Sequence, residues 1–444
     1  MTDPPNPNAL SNRGARAAAT PLRIDLEAHH AAAADAYHPE YNPAGALALN
    51  IAENRLGWPE LRARIEEITA SEEIPPWVPG YTSARGATPF RSALADFLST
   101  HLTGGPVSPE HLGVSAGATS VIEMTAYLLA DEGDVAVIPA PAYPVYRADL
   151  GNLSRVERYD LVTHHDVTEL RTGLPLTVDH LDRSKDDIEA SGRRFRLLIL
   201  TTPDNPTGGI YDQQQLRNVA DWCERHDVHL IVNEIYGLSL IDTNHEELAE
   251  DYDAPAPFVS FARLMAERKS DRLHLWYALS KDLGISGLRV GVLHSYNEAL
   301  LTGYENVNLT HSVSNHTQWL LSRLLADAAF MTGYVARNRA RLTASYASVV
   351  RRLRELGVPY APSRGSLFAW IDLSEFLDEP TEAGELMLWA EIFRVSRVLL
   401  TPGVGFGHSK SGLFRVVYPC VDYEELGVAM DRLAAFVRAK RMVG

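Results

Sequence analysis

With 444 residues, 45% of them hydrophobic, the chain can bury a large core and is expected to form two or more lobes. Its 41 basic against 57 acidic side chains give a formal charge of −16, and no basic cluster is long enough to track a nucleic-acid backbone, which argues against nucleic acid as a partner. The absence of any run of eighteen apolar residues argues against a membrane, the N-terminus shows no secretory pattern, and a cytoplasmic location is the default expectation.

Residues 1 to about 20 are rich in Pro, Asn and Ala without periodicity and read as a mobile tail, the start of an arm over residues 1–50. An Ala-rich helical piece falls within Pro21 to Tyr37, and Asn50-Ile-Ala-Glu53-Asn54 taken alone is a polar turn. Trp58 to Ala70 is expected to be an amphipathic helix; Tyr81-Thr-Ser-Ala-Arg-Gly86 is a loop before a helix over Thr88 to His101. Gly117-Ala118-Thr119 opens a helix over Ser120 to Ala130. Small residues at a helix start let backbone N–H groups close on an anion, although they also serve as ordinary caps. A strand over Asp134 to Ile138 leads into the proline-braced loop Pro139-Ala-Pro-Ala-Tyr143-Pro144, where Tyr143 offers a flat ring either to a ligand or to the core. Arg155 to Arg194 reads as polar and irregular.

Further along, a strand over Leu197 to Leu200 precedes Asn205-Pro-Thr-Gly208, a turn signal, and a helix over Asp212 to Arg225 precedes the strand His229 to Val232 and then Asn233-Glu-Ile-Tyr236. The apolar run Leu275 to Leu279 ends in Ser280-Lys281, with Gly284, Gly287 and Gly291 punctuating the next ten residues and Arg289 eight residues beyond the lysine. Most lysines are solvated surface charges. One that interrupts an apolar segment is open to desolvation, which lowers its pKa toward the range of a nucleophilic amine. Strands alternating with helices indicate a mainly parallel α/β sheet whose ligand sits at the carboxyl ends of the strands. From Thr317 to Leu356 the pattern turns helical and suits a long helix crossing to a smaller α+β domain, so the division expected is 51–320 and 321–444. In that second part Arg415 places a charge inside Leu413-Phe-Arg-Val-Val-Tyr418, which a surface strand explains poorly. Gly403-x-Gly405-x-Gly407 has the wrong spacing for a dinucleotide fingerprint, and no zinc or P-loop motif is present.

The segment Ser280-Lys-Asp-Leu-Gly-Ile-Ser-Gly-Leu-Arg-Val-Gly291 resembles the lysine segment of fold-type I pyridoxal-phosphate enzymes, the class I and II aminotransferases, and most resembles their 1-aminocyclopropane-1-carboxylate synthase branch. The likeness runs from about Asn50 to Pro419. It implies pyridoxal 5'-phosphate as cofactor, bound covalently through its aldehyde by Lys281, and an α-amino acid as small-molecule substrate. It further implies that Gly117, Ala118, Thr119 and Arg289 surround the cofactor phosphate, that Ser280 beside the lysine is among the cofactor-binding residues, that Tyr143 stacks on the ring, and that Asn205 and Tyr236 meet its phenolic oxygen. Glu53, in the segment that resembles the family's Ala-Glu-Asn near the substrate, and Arg415, matching the arginine that grips the substrate carboxylate, are the implied substrate-binding residues. Tyr81 matches a tyrosine that reaches the phosphate in the neighbouring subunit, so a homodimer with shared active sites is implied, with Tyr81 grouped with Lys281 as catalytic.

Two departures from the family pattern stand out. Ala278 replaces a phosphate-contacting serine three residues before the lysine, and Asn233 occupies the place of the aspartate that pairs with the ring nitrogen. An amide carries no charge with which to keep that nitrogen protonated, so a weaker electron sink and slower loss of the Cα proton are expected. Three function classes are consistent with this pattern: γ-elimination or γ-replacement on S-adenosylmethionine or a similar amino acid, ordinary amino-acid transamination, and a non-catalytic sensor that binds the cofactor. The retained lysine and the lack of a DNA-binding segment rank the sensor last.

Overall fold

The computed structural model describes residues 10–253 and 257–443. Most of its strands form on short apolar runs; the strands are β1 (Leu47–Ala48), β2 (Leu112–Ser115), β3 (Val135–Ala140), β4 (Glu157–Val162), β5 (Phe195–Thr201), β6 (His229–Asn233), β7 (Leu273–Ala278) and β8 (Gly291–Ser295), followed by β9 (Tyr360–Ala361), β10 (Phe368–Asp372), β11 (Val398–Leu399), β12 (Thr401–Pro402) and β13 (Leu413–Val417). Seven of them build the central sheet in the order β2-β8-β7-β6-β5-β3-β4. Every neighbouring pair is parallel except the two that involve β8, which runs against both β7 and β2. β6 and β7 are buried along their whole length, as expected of strands covered by helices on both faces. The helix Ala118–Leu129 packs on one face through Val121, Ile122 and Met124, and the helix Gln213–Arg225 on the other through Leu216, Val219 and Trp222.

A second sheet, β12-β13-β10-β9, is antiparallel, and β1 pairs in parallel with β11 beside it. The 29-residue helix Ala328–Leu356 joins the two halves. Its Met331 and Tyr334 belong to the core of the central sheet, whereas Leu342, Tyr346, Val349 and Leu353 belong to the core of the second. Asp327 breaks it from the preceding helix Asn315–Ala326 and caps its start by accepting the Phe330 N–H at 3.0 Å.

Two sequence expectations need correction. The aperiodic tail expected over residues 1 to about 20 is helical over Asn12–Ala19, with Ser11 accepting the Gly14 N–H; residues 1–9 lie outside the described residues. None of that helix is buried, so its cap and alanines form it without the apolar stripe that would have announced it. The stretch from Arg155 to Arg194, expected to be irregular, contains edge strand β4 and the helix Val178–Ala190. The strand is half-exposed, and the helix buries only Leu181, Ser184 and Ile188, so neither shows a strong apolar period. The Thr177–His180 capping box starts the helix instead.

Among the described residues no helix is long and apolar enough to cross a membrane.

Candidate active site

At the carboxyl ends of β5, β6 and β7 lies a cavity of about 320 Å³. The start of the helix Ala118–Leu129, the loop around Tyr143, residues Pro21 to Asp25, and Thr401, Phe406 and Arg415 of the second half close it. This is where a doubly wound sheet leaves a crevice, because loops from neighbouring strands turn to opposite faces there.

Lys281 enters from the single helical turn Leu279–Asp282 that ends β7, and its Nζ donates to the Ala52 carbonyl at 2.6 Å. Burial lowers its pKa to about 8, helped by the positive charges of Arg415, Arg289 and Arg23 and opposed by Glu53. The turn is held from behind. Asp282 accepts from the Leu238 N–H at 3.0 Å, the Ser239 hydroxyl at 2.6 Å and the Tyr277 hydroxyl at 3.0 Å, while its own carbonyl accepts from Asn338. Asn338 in turn accepts from Asn54 at 2.8 Å, so the Asn50–Asn54 segment buttresses the lysine turn. Gly284 (φ +66°) passes so close that a Cβ there would lie 2.2 Å from the Asn54 carbonyl oxygen.

An anion cradle adjoins the lysine. The helix Ala118–Leu129 begins with no side-chain cap, leaving its first N–H groups open, and Arg289 lies against Gly117, where a Cβ would fall 2.2 Å from Nη2. Among the described residues Arg289 has no carboxylate partner; Nη1 donates to the Ser286 carbonyl. Ala118, Thr119, Ser280 and Lys281 line the same space. Ala278, by contrast, is buried in the second core.

Tyr143 lines the cavity edge-on to Tyr146, ring centroids 5.4 Å apart, and Arg158 pins the loop by donating to the Tyr143 carbonyl at 2.9 Å. The Asn205 amide stands 3.5 Å from the Tyr236 hydroxyl and accepts from Arg415 Nη1 at 2.8 Å. Asn233 donates to the Tyr146 hydroxyl at 2.8 Å and accepts the Ile235 N–H at 3.2 Å, and Thr201 Oγ1 is 3.0 Å from that hydroxyl. Its amide therefore points at neighbours on both sides.

Arg415, at the centre of β13, is 4% exposed. Its guanidinium sits 4.5 Å from the Phe368 ring centroid and 5.4 Å from that of Phe406, donates to the Asn50 carbonyl and Thr401, and leaves Nε buried without a partner. Burial lowers its pKa to about 10. A buried cation flanked by rings and neutral acceptors is arranged to receive an anion.

Two residues implied by the resemblance lie elsewhere. Glu53 pairs with Arg55 at 3.0 Å at the surface and is not part of the cavity wall, although its charge is felt at Lys281. The Tyr81 side chain is 99% exposed and does not touch the cavity of its own chain. The sequence reading also missed several wall residues: Arg23, Asp25, Thr201, Tyr146, Asp149 and Phe406. Arg23 donates to Asp25 and to the Asn50 carbonyl, and Asn50 donates to Asp25 at 2.7 Å, which ties the N-terminal segment over the cavity mouth. Nothing in the local sequence marked this.

The donor set fits pyridoxal 5'-phosphate. The uncapped helix start and Arg289 suit a dianion, Tyr143 a flat ring, Asn205 and Tyr236 a phenolic oxygen, and Lys281 an aldehyde.

Comparison with known proteins agrees. The chain is 33% identical over 426 residues to 1-aminocyclopropane-1-carboxylate synthase 3 of Oryza sativa subsp. japonica, covering 91% of this chain and 90% of that one. To synthase 5 of the same species it is 32% identical over 422 residues, covering 91% and 75%. The fold is similar to that of aspartate aminotransferase from Thermus thermophilus with maleate, with a TM-score of 0.76 and 19% identity over 96% of this chain and 99% of that one. Residues 49–433 match the family described as aminotransferase class I and II. The chain thus belongs to the class I and II aminotransferases, enzymes of the fold-type I class that depend on pyridoxal 5'-phosphate.

Proposed function

We propose that the enzyme acts on an α-amino acid with a leaving group at Cγ, of the S-adenosylmethionine type, removing the Cα proton and expelling the γ group. The observation that carries this reading is the pairing of Lys281, an amine of lowered pKa, with the buried Arg415 in one cavity, in a chain whose relatives are named for 1-aminocyclopropane-1-carboxylate. Closing a three-membered ring on an amino acid requires a Cα–Cγ bond to form as a bond from Cγ to its leaving group breaks. A sulfonium supplies such a leaving group.

Arg415 would hold the substrate carboxylate through its planar fork, with Asn205, Thr401 and the two phenylalanine rings fixing the fork's plane. Lys281, neutral above a pH of about 8, would take the proton at Cα. Arg289 and the first N–H groups after Gly117 would hold the phosphate, and Asn205 and Tyr236 the phenolic oxygen. When bound, pyridoxal phosphate would supply the electron sink for the pair left at Cα. The cavity wall from Tyr143 to Tyr146 and the strap from Pro21 to Asp25 would keep water from that carbon.

Transamination would use the same residues up to proton removal. Incubating the loaded enzyme with S-adenosylmethionine, and separately with amino-acid and keto-acid pairs, decides between them. Release of methylthioadenosine with a cyclopropane amino acid is expected. Turnover of the pairs alone would make the enzyme an aminotransferase.

The working unit would be a homodimer in the cytoplasm. Tyr81, exposed on its own chain, suits a role in a second copy's cavity, and the buried, unpaired Cys223 and Cys420 suit a reducing compartment. Sedimentation at low concentration should show a dimer, and Tyr81→Phe should weaken cofactor retention about 10–150-fold, one hydrogen bond to a charged group contributing about 1.5–3 kcal/mol. A fully active monomer would overturn this.

A further inference from the structure

Most buried carboxyls in this chain have donors built around them. Asp282 has three, Asp204 accepts from the Thr207 N–H and hydroxyl, and Glu234 accepts from the Ser260 hydroxyl and the Phe261 N–H. Asp149 differs. It is 5% exposed, its Oδ2 is fully buried, and among the described residues no hydrogen bond reaches its carboxyl; Oδ2 is the one buried carboxyl oxygen left without a partner there. A buried acceptor with no donor destabilises the fold unless a group from outside the chain meets it.

Its position says what it faces. Asp149 belongs to the helix Tyr146–Gly151, one turn after Tyr146, whose hydroxyl accepts from Asn233 at 2.8 Å, and it lines the same cavity as Tyr143, Tyr146 and Asn233. The charged group that acts on it is another carboxylate, Glu123, which faces His311 at 3.8 Å, so among the described residues no cation neutralises Asp149.

Pyridoxal phosphate brings three polar groups besides its aldehyde. The phosphate is met by Arg289 and the open helix start, and the phenolic oxygen by Asn205 and Tyr236. The ring nitrogen remains, and Asn233 has no charge to offer it. We propose that Asp149 is the carboxyl partner of that nitrogen, the two groups holding one proton between them. With the proton on nitrogen, the Asp149 carboxylate faces a cation; with it on oxygen, the acid donates a hydrogen bond to the nitrogen. Asp149 thereby supplies from the helix after β3 the counter-charge that position 233 at the end of β6 does not. The inference rests on the cofactor and is independent of which amino acid is the substrate.

The test reads the nitrogen directly. Wild-type protein, Asp149→Asn and the double variant Asp149→Asn with Asn233→Asp are loaded with cofactor labelled with ¹⁵N in the ring, and the ¹⁵N resonance is recorded without substrate. The wild type should show a protonated nitrogen, Asp149→Asn should move the resonance downfield to the unprotonated position with cofactor still bound, and the double variant should return it. An Asp149→Asn resonance that coincides with that of the wild type overturns the proposal, as does a displaced one that Asn233→Asp fails to restore. Because substrate is absent, failure here is distinguishable from failure to turn over S-adenosylmethionine.

Discussion

Lys281→Ala is expected to lower turnover by about 10²–10⁴-fold, the usual contribution of a positioned proton-transfer group, with cofactor still detectable but no longer covalently held. The size comes from geometry. Among the described residues Lys281 has the one amine in the cavity, its turn is braced by Asp282 and by Asn54 through Asn338, and no neighbouring side chain can replace it. Borohydride reduction of the wild type and peptide mapping should place the cofactor on Lys281, and label on any other lysine would end the assignment.

The same lysine leaves a signature in ligand-free protein. Its pKa, near 10.5 in an unfolded chain, is about 8 in the fold, so between those values the unfolded state binds more protons and stability rises with pH through that window. Below a pH of about 8 both states carry the charge and the fold bears its burial cost in full. Comparing melting curves of the ligand-free wild type and Lys281→Met across this window isolates the contribution: the wild type should gain on the variant as pH rises. A constant difference would mean that the amine is better solvated than the cavity suggests.

Arg415→Lys should reduce kcat/KM for every α-amino-acid substrate about 30–150-fold, corresponding to about 2–3 kcal/mol for a charge-assisted, two-point contact. An ammonium placed between Phe368 and Phe406 keeps the charge but loses the planar fork, and Asn205 loses the donor that orients its amide toward Tyr236. The discriminating control is an amine lacking the carboxylate: its slow reaction should be nearly unchanged by the substitution. Equal loss for both substrates would show that Arg415 organises the cavity rather than selecting the acid.

Much of the cavity's arrangement was readable locally. Lys281 and Arg289 stand where an apolar run meets turn residues, a junction with a strong local signal, whereas Asn205, Tyr236 and the glycine before the helix Ala118–Leu129 read locally as turns and caps and were marked only by the family resemblance. The alternation of strands and helices likewise announced a mainly parallel sheet, and the cavity lies at its carboxyl edge. Arg415 was readable for a similar reason: a charge inside an apolar strand has no solvated explanation. Within one chain Glu53 pairs with Arg55 outside the cavity wall, and Tyr81 is exposed, as a residue that serves a neighbouring subunit would be.

What the tertiary structure alone decided are the contacts between segments far apart in sequence. The strap of Arg23, Asp25 and Asn50, the link from Asn54 to Asn338, and the bare carboxyl of Asp149 each depend on which surfaces the packed sheets bring face to face. Residue types and short-range periodicity determine where strands and helices start and stop, because capping and amphipathic burial act within a few residues. Whether a buried polar group finds a partner depends on atoms supplied from elsewhere in the chain, so Asp149 reads as an ordinary helix residue until its neighbours are in place.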